Sequence, residues 1–153
     1  MACKRCIATS KSTGSRCKRA TCKFAPFCWS HSPVEVGLGS FGRGLIVKRD
    51  MKKNQVIANY KQCPVTKKRN DVNRCHLWTD GTRGAPIYDG SDVKKCIAGM
   101  ANASRSGKPA KNASTRRSGQ MRAIKRIKKG DEVYVTYGPS FWRHCPVSKK
   151  KSK

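Results

Sequence analysis

The sequence predicts a mainly β protein, built from small antiparallel sheets with few short helices and preceded by a small cysteine-rich module. Three observations carry that prediction. The apolar runs are short, turn signals recur between them, and five of the nine cysteines crowd the N-terminal end at Cys3, Cys6, Cys17, Cys22 and Cys28. A chain of 153 residues suits one domain, or one domain with a small appendage. The divisions expected are residues 1–31, 32–142 and a basic tail, 143–153.

The N-terminal segment is too polar to bury a core, since Lys, Arg, Ser, Thr and Gly fill the spaces between its cysteines. Such a stretch stays unfolded unless a metal or crosslinks close its loops. Cys28 and His31 have the spacing of a chelating pair on one turn, and zinc takes four thiolate or imidazole ligands. The best even set is Cys6, Cys17, Cys28 and His31. Cys3, which forms a competing pair with Cys6 across two residues, and Cys22 are rivals for places in it. The plain alternative is a basic, thiol-rich tail that holds no metal.

From Ser32-Pro33 the texture changes. Val36–Val47 is a glycine-dense approach to a strand, and Val56–Tyr60 reads as a second strand, so the two are expected to pair as a hairpin. Residues 61–85 are polar and basic. Cys63, Cys75 and His76 lie among them as a conceivable second metal set, although irregular spacing favours buried or idle thiols. Ala85–Asp89 reads as a short strand, Cys96–Ala101 as a last apolar run, and Arg105–Gly119 as a loop. Lys129-Gly130-Asp131 is a turn signal, because Gly accepts positive φ and Asp can bond its own backbone. Glu132–Tyr137 follows with strand composition, placing Val133, Val135 and Tyr137 on one face and Tyr134 and Thr136 on the other.

Charge narrows the partners. Lys and Arg number 35 against eight acids, a net charge of +27. That excess points to nucleic acid, nucleosomes or another polyanion. No apolar run approaches the ~20 residues of a membrane span, so no membrane partner is expected. The N-terminus lacks the apolar stretch of a signal peptide, which implies a reducing compartment where clustered cysteines serve as metal ligands rather than disulfides. The glycosylation triplets at Asn102 and Asn112 then carry no weight.

The order of motifs over residues 34–142 resembles the SET-domain lysine methyltransferases, and the compactness resembles their minimal viral members. Ser40–Leu45 looks like the family's opening Gly-x-Gly element, so Gly42, Arg43 and Gly44 are implied to cradle S-adenosylmethionine. Asn102-Ala103-Ser104, with Asn112 beyond, resembles the Asn-His-Ser…Asn segment, in which Asn102 would hold the cofactor amine and Ala103 would contact it through backbone. Gly130–Gly138 resembles the closing Gly-Glu-Glu…Tyr-Gly strand, putting Tyr137 in the catalytic position with Tyr60 as an active-site aromatic. Trp142 resembles the aromatic that stacks near the adenine. The resemblance implies a β-clip SET fold with a threaded pseudo-knot. It also implies transfer of a methyl group to a protein lysine, with histone as substrate and the nucleus as the site of action (a host nucleus or virion for a viral chain). The departures are Ala103 for the usual His, the long insert Arg105–Ala110, and no three-cysteine cluster after the domain. The N-terminal run separately resembles a short cysteine–histidine module of large DNA viruses and some microbes, which adds support for zinc. The competing reading is a non-catalytic, zinc-containing nucleic-acid-binding or virion packaging protein on a SET-like scaffold. Oligomeric state stays open, a homodimer included.

Overall fold

The computed structural model describes residues 4–10, 12–21, 24, 26–66, 77–103, 108–137 and 141. Among the described residues, eight short strands form three small antiparallel sheets. β1 (Val34–Gly39) and β2 (Gly42–Val47) make a two-stranded hairpin. β3 (Val56–Asn59) joins β8 (Gln120–Ala123), which also pairs with β7 (Ala113–Thr115). The third sheet is β4 (Val65–Thr66), β6 (Ile87–Asp89) and β5 (Leu77–Trp78), with β6 in the centre. Helical structure among the described residues is almost confined to single 3-10 turns such as Tyr60–Gln62 and Ala98–Met100. None of it is long and apolar enough to cross a membrane.

The expected hairpin between the glycine-dense run and Val56–Tyr60 does not form. The run reverses on itself at Ser40-Phe41, with Gly42 at φ +97°, a conformation that costs a Cβ-bearing residue. β2 therefore finds its partner within the run, and β3 is left to pair with β8.

One buried cluster unites the sheets. Leu45, Val47, Ile57, Ile97, Met121, Ile127 and Val133 are all 0–1% exposed, and Phe24 from the N-terminal segment packs on their rim. Cys63 and Cys96 belong to the same core and are joined as a disulfide, with Cα atoms 4.9 Å apart. Cys63 is buried as expected but is neither an idle thiol nor, with that partner, a metal ligand. The 3-10 turn at Tyr60–Gln62 carries it inward against the apolar run that holds Cys96. Cys75 and His76 lie outside the described residues.

The turn at Lys129-Gly130-Asp131 forms as its residues require. Gly130 takes φ +89°, and the Asp131 carboxylate accepts from Lys128 N at 3.0 Å. Residues after it run extended but join no regular sheet. Instead the segment is held on several sides. Val133 N donates to Leu45 O, Val135 N to Asn102 O, and the Tyr134 carbonyl accepts from Asn112 N and Ala113 N. The Asn112 side chain acts like a piece of strand, donating to Glu132 O and accepting from Tyr134 N, both at 2.8 Å. Enclosed in this way, Glu132, Val133, Tyr134 and Val135 are all buried. The expected inside–outside alternation is lost because both faces of the segment are covered.

Candidate functional site

The threaded segment brings distant residues together beside the β1–β2 hairpin. Asn102 sits in a parallel bridge with Tyr134, and its Nδ2 donates to Arg43 O at 3.0 Å and to Glu132 Oε1 at 2.7 Å. Glu132 Oε2 accepts from Ser40 N at 2.8 Å and from the Tyr134 hydroxyl, which also lies 2.8 Å from Ser40 Oγ. Burial, and then the bond to Glu132, hold the Tyr134 phenol above its ordinary pKa.

The two glycines of the Gly42-Arg43-Gly44 element do different work. Gly42 has open space where a Cβ would stand and is needed for its positive φ. Gly44 is needed for room, because a Cβ there would collide with Glu132 Oε1 and fall 2.9 Å from Asn102 Nδ2. Gly44→Ala should therefore push the carboxylate and the amide apart, destabilising the fold by about 1–3 kcal/mol. Gly42→Ala should strain the turn without that collision. Chemical denaturation of both variants separates the effects: Gly44→Ala should lose more stability than Gly42→Ala.

Tyr137 lies half-buried at the end of the threaded segment. Its hydroxyl donates to the Ala101 carbonyl, one residue before Asn102, and its ring centroid is 4.1 Å from that of Phe141. Burial, reinforced by the negative charge of Glu132, pushes its pKa up to about 12. The phenol is consequently neutral at any physiological pH. Tyr60 is buried at the start of its 3-10 turn, stacked on Trp78 with centroids 5.6 Å apart, and Trp78 in turn tilts against Tyr88 at 5.8 Å. Burial raises the Tyr60 pKa strongly, and nearby Tyr137 adds to the shift. Ala103 is half-buried beside Asn102. Trp142 lies outside the described residues.

A second group forms in the N-terminal segment. The ligand atoms of Cys6, Cys17, Cys28 and His31 all lie within 4.8 Å of one another. His31 Nδ1 is 3.3 Å from Cys28 Sγ and 3.7 Å from Cys6 Sγ. A tetrahedral zinc with Zn–S near 2.3 Å and Zn–N near 2.0 Å would set a sulfur–nitrogen edge at roughly 3.5 Å, between the two seen here, and the group could hold a metal ion. Backbone amides support the thiolates, with Cys28 N at 3.2 Å and Ala8 N at 3.5 Å from Cys6 Sγ. Arg5 and Arg16 brace the loops by donating to the carbonyls of Cys17 and Cys6. Arg49 ties the module to the domain through His31 O at 3.0 Å. The competing Cys3 and Cys22 lie outside the described residues.

The SET domain family model matches residues 42–138. The chain belongs to the SET-domain family. Similar solved structures span the same fold. The methyltransferase domain of human PR domain-containing protein 2 aligns with TM-score 0.52 and 18% identity, over 70% of this chain and 78% of that one. A Plasmodium falciparum protein described as a histone methyltransferase aligns with TM-score 0.50 and 20% identity, over 73% and 98%. A humanized mutant of the Chaetomium thermophilum Polycomb Repressive Complex 2, bound to the inhibitor GSK126, aligns with TM-score 0.52 and 20% identity, over 72% of this chain but 16% of that one. No curated protein matches the chain in sequence.

Of the residues that the sequence singles out in this SET domain, Arg43, Gly44 and Asn102 meet around one amide nitrogen, while Gly42 shapes the turn that precedes them. Tyr60 and Tyr137 lie close enough to affect each other electrostatically. Sequence reasoning gives no role to Glu132, Tyr134, Ser40 or Trp78. One signal is available for Glu132: a carboxylate opening an otherwise apolar run in a chain with eight acids.

Proposed function

We propose that this SET-domain protein transfers a methyl group from S-adenosylmethionine to a lysine of a protein substrate, with histone in nucleosomes as the substrate. The observation that carries this reading is Tyr137: a neutral, half-buried phenol whose proton is committed to the Ala101 carbonyl, next to the polar cradle of Arg43, Gly44 and Asn102. The cradle's acceptors, the Arg43 carbonyl and the Asn102 amide oxygen, suit the ammonium at the methionine end of the cofactor. Bound there, the sulfonium would supply an electrophilic methyl group. The protein's part is alignment and desolvation. An attacking lysine must be neutral although its ordinary pKa is ~10.4, and a dry site beside the cationic cofactor would disfavour the ammonium. The Tyr137 oxygen, having donated its proton to Ala101, retains acceptor capacity toward the reacting groups and orients them rather than taking a proton.

A +27 protein should not attract a basic tail through its long-range field. Its surface is better suited to nucleosomal DNA, which would hold the tail nearby with an affinity falling steeply as salt rises. In this reading residues 32–142 act as the catalytic unit, 1–31 hold Zn2+ through Cys6, Cys17, Cys28 and His31, and 143–153 form a basic tail of a nuclear protein. The test measures thermal stability with added S-adenosylmethionine, then methyl transfer to nucleosomes and to free histones at rising salt. Saturating cofactor should raise the melting temperature by mass action, and nucleosomes should be the better substrate at low salt. Tight DNA binding without a cofactor shift or turnover would instead support a non-catalytic packaging protein.

A further inference from the structure

Glu132 is the one buried acid among the described residues, at 8% exposure. In so basic a chain it has no lysine or arginine partner among them. Its carboxylate is held by neutral donors alone: Ser40 N, Asn102 Nδ2 and the Tyr134 hydroxyl. Burying a charge without a counter-ion is costly, and ordinary folds pair it. The charge also lies where it matters, against Gly39 and Gly44, either of which would strike it if given a Cβ. Its field reaches Tyr137, whose pKa it helps raise.

The hydrogen bonds show what this anion does locally. Asn102 Nδ2 serves both Glu132 Oε1 and Arg43 O. That nitrogen has two protons, so both are committed and the amide can lie only one way. Its oxygen is thereby turned to the opposite side as an acceptor. The Arg43 carbonyl and the Glu132 charge thus stand on the nitrogen side of this amide and its acceptor oxygen on the far side, one amide away from a buried negative charge that favours a cation able to donate hydrogen bonds to that oxygen. A sulfonium has no N–H to give, and a carboxylate would be repelled.

We infer that Glu132 is a positioning residue for the α-ammonium of the cofactor, orienting the Asn102 amide oxygen toward it and supplying its balancing charge. This rests on the proposed use of S-adenosylmethionine.

The test compares two ligands by calorimetric titration: S-adenosylhomocysteine, which carries the ammonium, and methylthioadenosine, which lacks the amino-acid end. The parent should prefer the first. Glu132→Gln keeps the shape and loses the charge, and a hydrogen bond to a charged group is commonly worth a tenfold change in affinity or more. Affinity for S-adenosylhomocysteine should therefore fall at least tenfold while that for methylthioadenosine stays within about twofold. Glu132→Asp, which keeps the charge, should hold the parent's preference and carries the test if the Gln variant does not fold. Equal weakening of both ligands in Glu132→Gln, unchanged binding of both, or loss of the preference in a folded Glu132→Asp overturns the inference and leaves the cofactor reading standing. A parent that binds neither ligand overturns both.

Discussion

Tyr137→Phe should lose at least ~100-fold in methyl transfer while binding S-adenosylmethionine almost normally, because misplacing a reacting group by a fraction of an ångström carries a cost of that size. The change removes one hydroxyl and little volume. Its stability effect should be about 1–2 kcal/mol, since the buried Ala101 carbonyl loses the donor that Tyr137 provides. The ring contact with Phe141 and the backbone bonds of the threaded segment should persist. Single-turnover rates and calorimetric cofactor affinity, measured on the same preparation, separate the two effects. A variant that turns over like the parent would place the chemistry elsewhere. Asn102→Ala should show the reverse pattern, with weakened cofactor affinity as the primary loss.

Stripping metal with a strong chelator should release one zinc per chain and unfold the N-terminal module. Among the described residues, the segment's own backbone contacts are two isolated bridges, Arg5 with Ala20 and Thr9 with Arg16, plus loop hydrogen bonds. Those cannot replace a structural zinc, whose binding is commonly worth ~10–16 kcal/mol. Trypsin should then cut within residues 4–31 far faster than before, while hydrogen exchange in β3, β7 and β8 stays slow. The SET domain should not be wholly indifferent, because Phe24 packs on its core and Arg49 holds His31 O. A modest fall in its melting temperature is expected. Metal analysis finding no zinc in protein purified without chelator would rule the site out, and Cys28→Ser should reproduce the chelated state.

Much of this was legible in the chain itself. The convergence of Cys6, Cys17, Cys28 and His31 could be anticipated because ligand type and spacing along a polar stretch limit how its loops can close. The turn at Gly130-Asp131 and the strand at Ile87–Asp89 could be read because local conformational preference determines them. The motif order from Gly42 to Tyr137 identified the family, since a family's motifs are themselves sequence. Pairing was another matter. Nothing local to Val56–Asn59 says that its partner is Gln120–Ala123 rather than the nearer Gly42–Val47, because antiparallel partners are chosen by which surfaces can be buried together. The same holds for Glu132. Its letter marks an acid at the edge of an apolar run, but its burial, its neutral partners and its grip on Asn102 arise only when the segment passes between Leu45, Asn102 and Asn112. Composition and local propensity thus determined which elements exist. Long-range burial decided which of them meet, and so which charge stands at the site.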